Sequence, residues 1–181
     1  MPTGVRLART SDVDRIAAIQ VSAWERLYGP LLEAAGLTLD ATEIADSWAA
    51  AILRPPTPAM RVLVATDEEH VVGFAAIGPA LDRDLAGDWG EIHALVVDVD
   101  ALRRGHGSRL MAACIDHLRA GGYHSAATWT LLDDEPRRAF WQSAGWAPDS
   151  ARRTLGGLID LGESDGTVTE VRLVVDISAN P

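Results

Sequence analysis

The chain is 181 residues long, 48% hydrophobic and 23% charged, with 16 glycines and 9 prolines, the composition of an ordinary globular domain with chain enough to bury a sizeable core. All 16 basic residues are arginine and stand against 26 acidic ones; the formal charge of −10 and a pI near 4.8 argue against a general nucleic-acid binder and suit either a cationic partner such as an amine or solubility alone. The one cysteine, Cys114, excludes an internal disulfide and a cysteine-based zinc cluster, and no apolar run approaches the roughly 20 residues of a membrane span. The opening residues lack a charged leader followed by an apolar run, so the expectation is one cytoplasmic domain over residues 1–181, with no metal, membrane or nucleic-acid partner. The absence of lysine removes any internal side-chain amine as nucleophile, Schiff-base former or acylation target.

Val5, Arg6 and Leu7 read as a short strand. Ser11 with Asp14 resembles a capping pair, and Val13, Ile16, Ala17, Gln20, Ala23, Trp24 and Leu27 then recur at helical spacing; Tyr28, beside Gly29 and Pro30, falls in the loop that follows. Asp40 with Glu43 opens a second helix through Ile44, Trp48 and Ile52, and Pro55 and Pro56 stop it. Residues 61–66 and 71–77 flank a short acidic turn and read as a hairpin. An acidic loop over 82–88 leads into an apolar strand over 92–97. A helix over 108–120 ends at Gly121 and Gly122, a strand follows over 125–132 and a helix over 135–144, and residues 145–149 turn out of it. Two more strands are expected over 154–161 and 167–177. The order β-α-α-β-β-β-α-β-α-β-β gives a mixed sheet with helices on both faces, in the α/β class.

The segment 91–111 carries the chemistry. An apolar strand ends in a basic, double-glycine loop, Arg103-Arg104-Gly105-His106-Gly107, and an amphipathic helix starts at once. Glycines let successive N–H groups point inward as an anion nest, the helix N-terminus adds partial positive charge, and Arg103, Arg104 and Arg109 add full charges. That suits a phosphate or pyrophosphate; the same pattern also suits a plain strand-to-helix turn. The P-loop and dinucleotide fingerprints are absent.

Leu95-Val96-Val97-Asp98 followed by Arg104-Gly105-His106-Gly107 resembles the strand-loop-helix motif of the GNAT superfamily of acetyl-CoA-dependent N-acetyltransferases, departing at Leu102, where the family usually has Gln or Arg. A second block agrees: the strand Thr128 to Leu131, then Asp134 at the family's Asn place, then Phe140-Trp141 ahead of Gly145-Trp146, with Trp141 at the family's Tyr place. The match runs in order along nearly the whole chain and is similar to bacterial, actinobacterial-like members.

The resemblance implies a GNAT-type central sheet of about seven strands with a V-shaped splay between the fourth and fifth, and helices on both faces. It implies acetyl-CoA as cosubstrate, its pantetheine along Leu95, Val96 and Val97 and its pyrophosphate on Arg103, Arg104, Gly105, His106, Gly107, Ser108 and Arg109, with Asp134, Phe140 and Trp141 beside it. It implies attack of a primary amine, of a small molecule or a protein, on the thioester through a tetrahedral intermediate. Because amines of pKa about 10.4 are protonated at neutral pH, a base is useful. Glu91 is the leading base and His93 the second; strand alternation places both on one face with Leu95 unless a bulge intervenes. Trp141 cannot supply the acidic proton of a tyrosine, which leaves it lining the CoA sulfur, or leaves a catalytically weak CoA-binding regulatory module as the alternative. Trp24, Tyr28 and Glu170 are the acceptor-pocket candidates, with Trp48 as wall or core, and Glu25, Asp82 and Asp84 as negative charge for a cationic acceptor. Cys114 reads as packing, and His117 and His124 lack a metal-site pattern. A homodimer follows by family analogy.

Overall fold

The structure, a computed structural model, describes residues 3–34, 36–155 and 168–178. In the strand Arg61–Asp67 (β2), Leu63 and Ala65 face one way and Val62 and Val64 the other, and all four are buried. Alternation with both sides apolar means a sheet that needs cover on both faces. The other strands are β1 (Thr3–Leu7), β3 (His70–Pro79), β4 (Trp89–Val97), β5 (Ser125–Leu131), β6 (Ala147–Leu155) and β7 (Val168–Asp176). They form one seven-stranded sheet in the order β1-β2-β3-β4-β5-β7-β6, antiparallel throughout except for the parallel pair β4 and β5.

The helix His106–Ala120 (α3) lays Leu110, Met111, Cys114 and Leu118 on the face that carries Leu63, Ala75, Ile92 and Leu95, where Trp141 of the helix Glu135–Ser143 (α4) and Trp146 join it. Cys114 is fully buried, and that burial pushes its thiol up to about 12. On the opposite face Ile16 and Ile19 of the helix Val13–Ala34 (α1) meet Val64, Phe74 and Val96, with Trp48 and Ile52 of the helix Ala41–Leu53 (α2) packed alongside. Among the described residues no helix is long and apolar enough to cross a membrane.

Several boundaries differ from the sequence reading, each for a local reason. The carboxylate at the head of the first helix is Asp12, in a short 3-10 turn: it accepts from Arg9 N at 2.7 Å and takes both ends of the Arg6 guanidinium at 2.7 and 2.9 Å. α1 continues through Pro30, where a proline ring forfeits one backbone bond without ending the helix, so Tyr28 is helical and not in a loop. α3 begins at His106, two residues before Ser108, because Gly105 takes the left-handed conformation (φ 81°) that starts it. Residues 147–149, read as a turn, open β6, whose bulge between Pro148 and Arg152 holds Ser150 at φ 75°. The expected strand over 154–161 lies mostly outside the described residues.

The feature that makes a site is where the sheet fails to close. β4 and β5 pair only at Trp89–Ser125, Gly90–Ala126 and Glu91–Ala127. Thr128 Oγ donates to Ile92 O at 2.9 Å, and past that point the strands part. The edge of β4 from His93 to Val97 that faces β5 has no partner strand, which is the V-shaped splay.

Candidate active site

A cleft of about 280 Å³ opens from the splay toward α1. Its floor comes from β4 and β5, its roof from Gln20, Trp24 and Tyr28 of α1 with Trp48 of α2, and its end from Asp134, Arg137 and Trp141 of α4. Trp48 serves both core and roof: its indole N–H donates to Gln20 Oε1 at 2.5 Å while its ring meets Phe74 edge-on at 4.9 Å. Trp24 is 39% exposed and stands edge-on to Tyr28, the two ring centres 6.4 Å apart.

At the closed end of β4 a bulge sets the chemistry. Ile92 pairs with Ile77 and Ala94 with Ala76, which leaves His93 as the extra residue. The alternation is therefore broken: Leu95 turns to the α3 core with Ile92, and does not share a face with Glu91 and His93. Glu91 is 5% exposed and His93 lies before it in the cleft wall, with His93 Nδ1 3.3 Å from Glu91 Oε1. The other oxygen of Glu91 accepts from Leu81 N at 3.1 Å. Burial pushes the Glu91 carboxyl up, but His93, the Leu81 N–H and the Arg153 charge outweigh it and hold it below the ordinary carboxylate range. With Nδ1 given to Glu91, His93 Nε2 is buried against Gly78 and Met60 without a hydrogen-bond partner among the described residues.

The loop between β4 and α3 has the form of an anion cradle. Arg103 (φ 63°) and Gly105 (φ 81°) turn the chain, and no side chain caps α3, whose first turn holds no acidic residue. The amides of His106, Gly107 and Ser108 thus head the helix with its positive dipole end free. Gly107 admits close packing: a Cβ there would sit 3.3 Å from the Phe140 ring and 3.7 Å from Val97. Residues of this kind fit a pyrophosphate held by backbone. The arginines are less open than the sequence suggests. Arg104 pairs with Asp67 at 2.6 Å, and Arg109 folds back onto Arg104 O at 3.1 Å and His106 Nδ1 at 3.0 Å. The His106 side chain is 1% exposed, and burial and the Arg109 charge push its pKa down. Ser108 begins the second half of the first turn.

α4 closes the other side. Asp134 caps it by accepting from Arg137 N at 3.1 Å, and its second oxygen takes Arg137 Nε at 3.3 Å, so both oxygens are already engaged. Arg137 Nη1 then donates to Leu95 O at 3.0 Å, crossing from α4 to the unpartnered edge of β4. Trp141 is 2% exposed, edge-on between Phe140 (5.5 Å) and Trp146 (4.8 Å).

The acceptor side joins Glu170, an expected pocket residue, to Trp129, Arg153 and Arg172, which sequence reasoning missed. Trp129, Arg153 and Glu170 share the α1 face of the sheet: Arg153 Nε donates to Glu170 at 2.6 Å, and its guanidinium lies 4.3 Å from the centre of the Trp129 ring. Arg172, 4% exposed, is gripped by Asp82, Asp84 and Asp149 at 2.5 to 3.1 Å, and Trp129 Nε1 donates to Asp82 at 2.9 Å. Asp82 and Asp84, expected as negative charge for a cationic acceptor, are paired with Arg172, which they share with Asp149. Tyr28 stays a firm phenol: burial first, then the Glu170 charge, push its pKa up. Three of these residues announce themselves only through partners up to 90 positions away, beyond any local pattern. No group of three or more metal-ligating side chains occurs among the described residues.

Residues 21–146 match the acetyltransferase (GNAT) family. Over 141 residues, 77% of each chain, the sequence is 30% identical to the uncharacterized N-acetyltransferase YuaI of Bacillus subtilis strain 168. The fold is similar to that of YncA of Salmonella typhimurium, solved with its cofactor acetyl-CoA: the TM-score is 0.69 at 17% identity, covering 98% of this chain and 95% of that one. It is similar also to the ribosomal-protein-S18-alanine N-acetyltransferase of Escherichia coli, with a TM-score of 0.66 at 16% identity over 99% and 97% of the two chains. With a matched family segment that spans both the β4-to-α3 cradle and α4, and a sheet that opens between them, the chain belongs to the GNAT family and is an acetyl-CoA-dependent acyltransferase.

Proposed function

We propose that the chain transfers the acetyl group of acetyl-CoA to the nitrogen of a primary amine, which enters from the α1 side of the sheet. One observation carries the reading: the unpartnered edge of β4 lines the cleft under α1 and leads to Val97, which lies beside Gly107 at the uncapped start of α3. Acetyl-CoA, when bound, supplies an acyl thioester with a thiolate leaving group.

In this reading the amides at Gly105, His106, Gly107, Ser108 and Arg109 hold the pyrophosphate, with Arg103 and Arg104 beside it, and Leu95, Val96 and Val97 offer backbone groups to the pantetheine arm. Arg137 must share or leave Leu95 O for that to happen. A Val97 N–H facing the opening stabilises charge that develops on the acyl oxygen. Glu91 and His93 form one proton acceptor: Glu91, ionised, faces His93 Nδ1 at 3.3 Å, and a water carries the amine proton from the cleft to this pair. Trp141 lines the sulfur without donating a proton; a thiol of pKa about 8.5 leaves adequately as thiolate. Phe140 and Asp134 set the α4 wall, and Trp24, Tyr28 and Glu170 bound the acceptor. The reading extends to a single domain over 1–181, at work in the cytoplasm as a homodimer. Light scattering tests the last point, and a monomer at all concentrations would end it.

The test is calorimetric titration with acetyl-CoA followed by thiol release over an amine library. Binding with release is expected. Binding without release from any amine would remove the amine acceptor.

A further inference from the structure

The acceptor side of the cleft has an unusual charge arrangement, and it bears on what the amine is attached to. Two carboxylates line the cleft, and each already has an internal cation: Asp134 faces Arg137 and Glu170 faces Arg153, while Glu91 stands behind His93. Neither of the two is left to receive a second positive charge on an acceptor, whatever the net charge of −10 suggests.

Arg153 differs from Arg137. Arg137 uses both its Nε and a terminal nitrogen on protein acceptors. Arg153 commits only Nε, to Glu170, and its two terminal nitrogens have no protein partner among the described residues. Its side chain is nevertheless 45% exposed and lines the cleft. Its plane is fixed from beneath by Trp129 at 4.3 Å. That indole is in turn fixed by its N–H on Asp82 and by the guanidinium of Arg172, 5.6 Å from its centre on the same sheet face. Glu170 is 9% exposed and stands directly opposite Arg153 in the β6–β7 register. A buried carboxylate and a braced indole hold the guanidinium still, and its end-on pair of N–H donors is what they leave unused. That fork matches a carboxylate.

Building on the amine-acceptor reading above, we propose that the acceptor carries a carboxylate close to its amine, an α-amino-acid-type small molecule, and that Arg153 anchors that carboxylate while the amine faces Glu91 and His93. Arg153 lies near enough to that pair for its charge to act on Glu91. A protein N-terminus or a plain alkylamine offers no such group, so the arrangement selects against both.

The experiment is a thiol-release assay with acetyl-CoA on free α-amino acids, their carboxamides and their decarboxylated amines. The free acids are expected to be preferred at least tenfold in kcat/KM. Arg153→Met should cut kcat/KM for the acids at least tenfold more than for the carboxamides, mainly through KM, leave the acetyl-CoA Kd within twofold, and Arg153→Lys should recover part of the loss. Equal use of carboxamides or decarboxylated amines by the wild type, or a preference that survives in Arg153→Met, overturns the anchor alone. Thiol release from no amine at all, with acetyl-CoA still bound, overturns the amine-acceptor reading and the anchor falls with it.

Discussion

Glu91 is a carboxylate surrounded by groups that favour its charge: His93 Nδ1 at 3.3 Å, the Leu81 N–H at 3.1 Å and Arg153 nearby. Its folded pKa lies below the ordinary 4.5, so it is ionised and constant at any working pH above about 5. Glu91→Gln should therefore lower kcat/KM at least tenfold by the same factor across that whole range, with the acetyl-CoA Kd unchanged; a full rate with a true acceptor would remove the pair from the chemistry. The types at 91 and 93 could be picked from the sequence because a charged residue and a histidine in an apolar strand stand out. Their relation could not. Simple alternation puts Leu95 beside them, and only the pairing of β4 with β3, which leaves His93 as the extra residue, reveals the break.

Elements carry their own consequences. The entry to α1 rests on Asp12, 6% exposed, whose carboxyl is held below its ordinary 3.8 chiefly by the hydrogen bonds from Arg6, against the opposing push of burial. A depressed pKa means that the stabilisation is complete above the unfolded value and is lost as pH falls through the folded one. Asp12→Asn should cost about 2 kcal/mol at pH 7 in urea unfolding, and the difference from wild type should shrink below pH 3.8; a pH-independent gap would contradict the account. At the start of α3, Gly107 lies where a Cβ would meet Phe140 at 3.3 Å. Gly107→Val should push α3 from α4 at the mouth of the cradle and raise the acetyl-CoA Kd at least tenfold by calorimetry; an unchanged Kd would move the cosubstrate elsewhere. The glycine and arginine run of this loop was legible because a helix start is local. What its arginines touch was not, since Asp67 is 37 positions from Arg104.

At the scale of the whole molecule, the half of the sheet beyond the splay shares the α3-side core with the rest through Ala126, Trp141, Trp146 and Leu173, and polar links join it on the face that carries Arg172. Arg172 on β7 joins Asp82 and Asp84 before β4 to Asp149 on β6, across up to 90 positions. Arg172→Met should cost about 3 kcal/mol, because removing the buried partner leaves three carboxylates facing one another. Urea unfolding reads it, and a loss under 1 kcal/mol would show these carboxylates rehydrate freely. The order of strands and helices came through from periodicity and turn residues, since apolar spacing is set by the sheet and helix faces. The long-range ion pairs did not, because a charged residue in a strand looks the same whether it meets solvent or a partner.

Cys114 lies wholly inside α3's contact with the sheet, its thiol raised to about 12. As the chain's sole sulfhydryl, it gives a folded enzyme that is silent to disulfide reagents, so sulfur detected during turnover belongs to released CoA. The same burial turns the residue into a built-in clock for unfolding. Each chain yields one new reactive equivalent only when α3 lifts from the sheet, and the labelling rate then reports how often that happens.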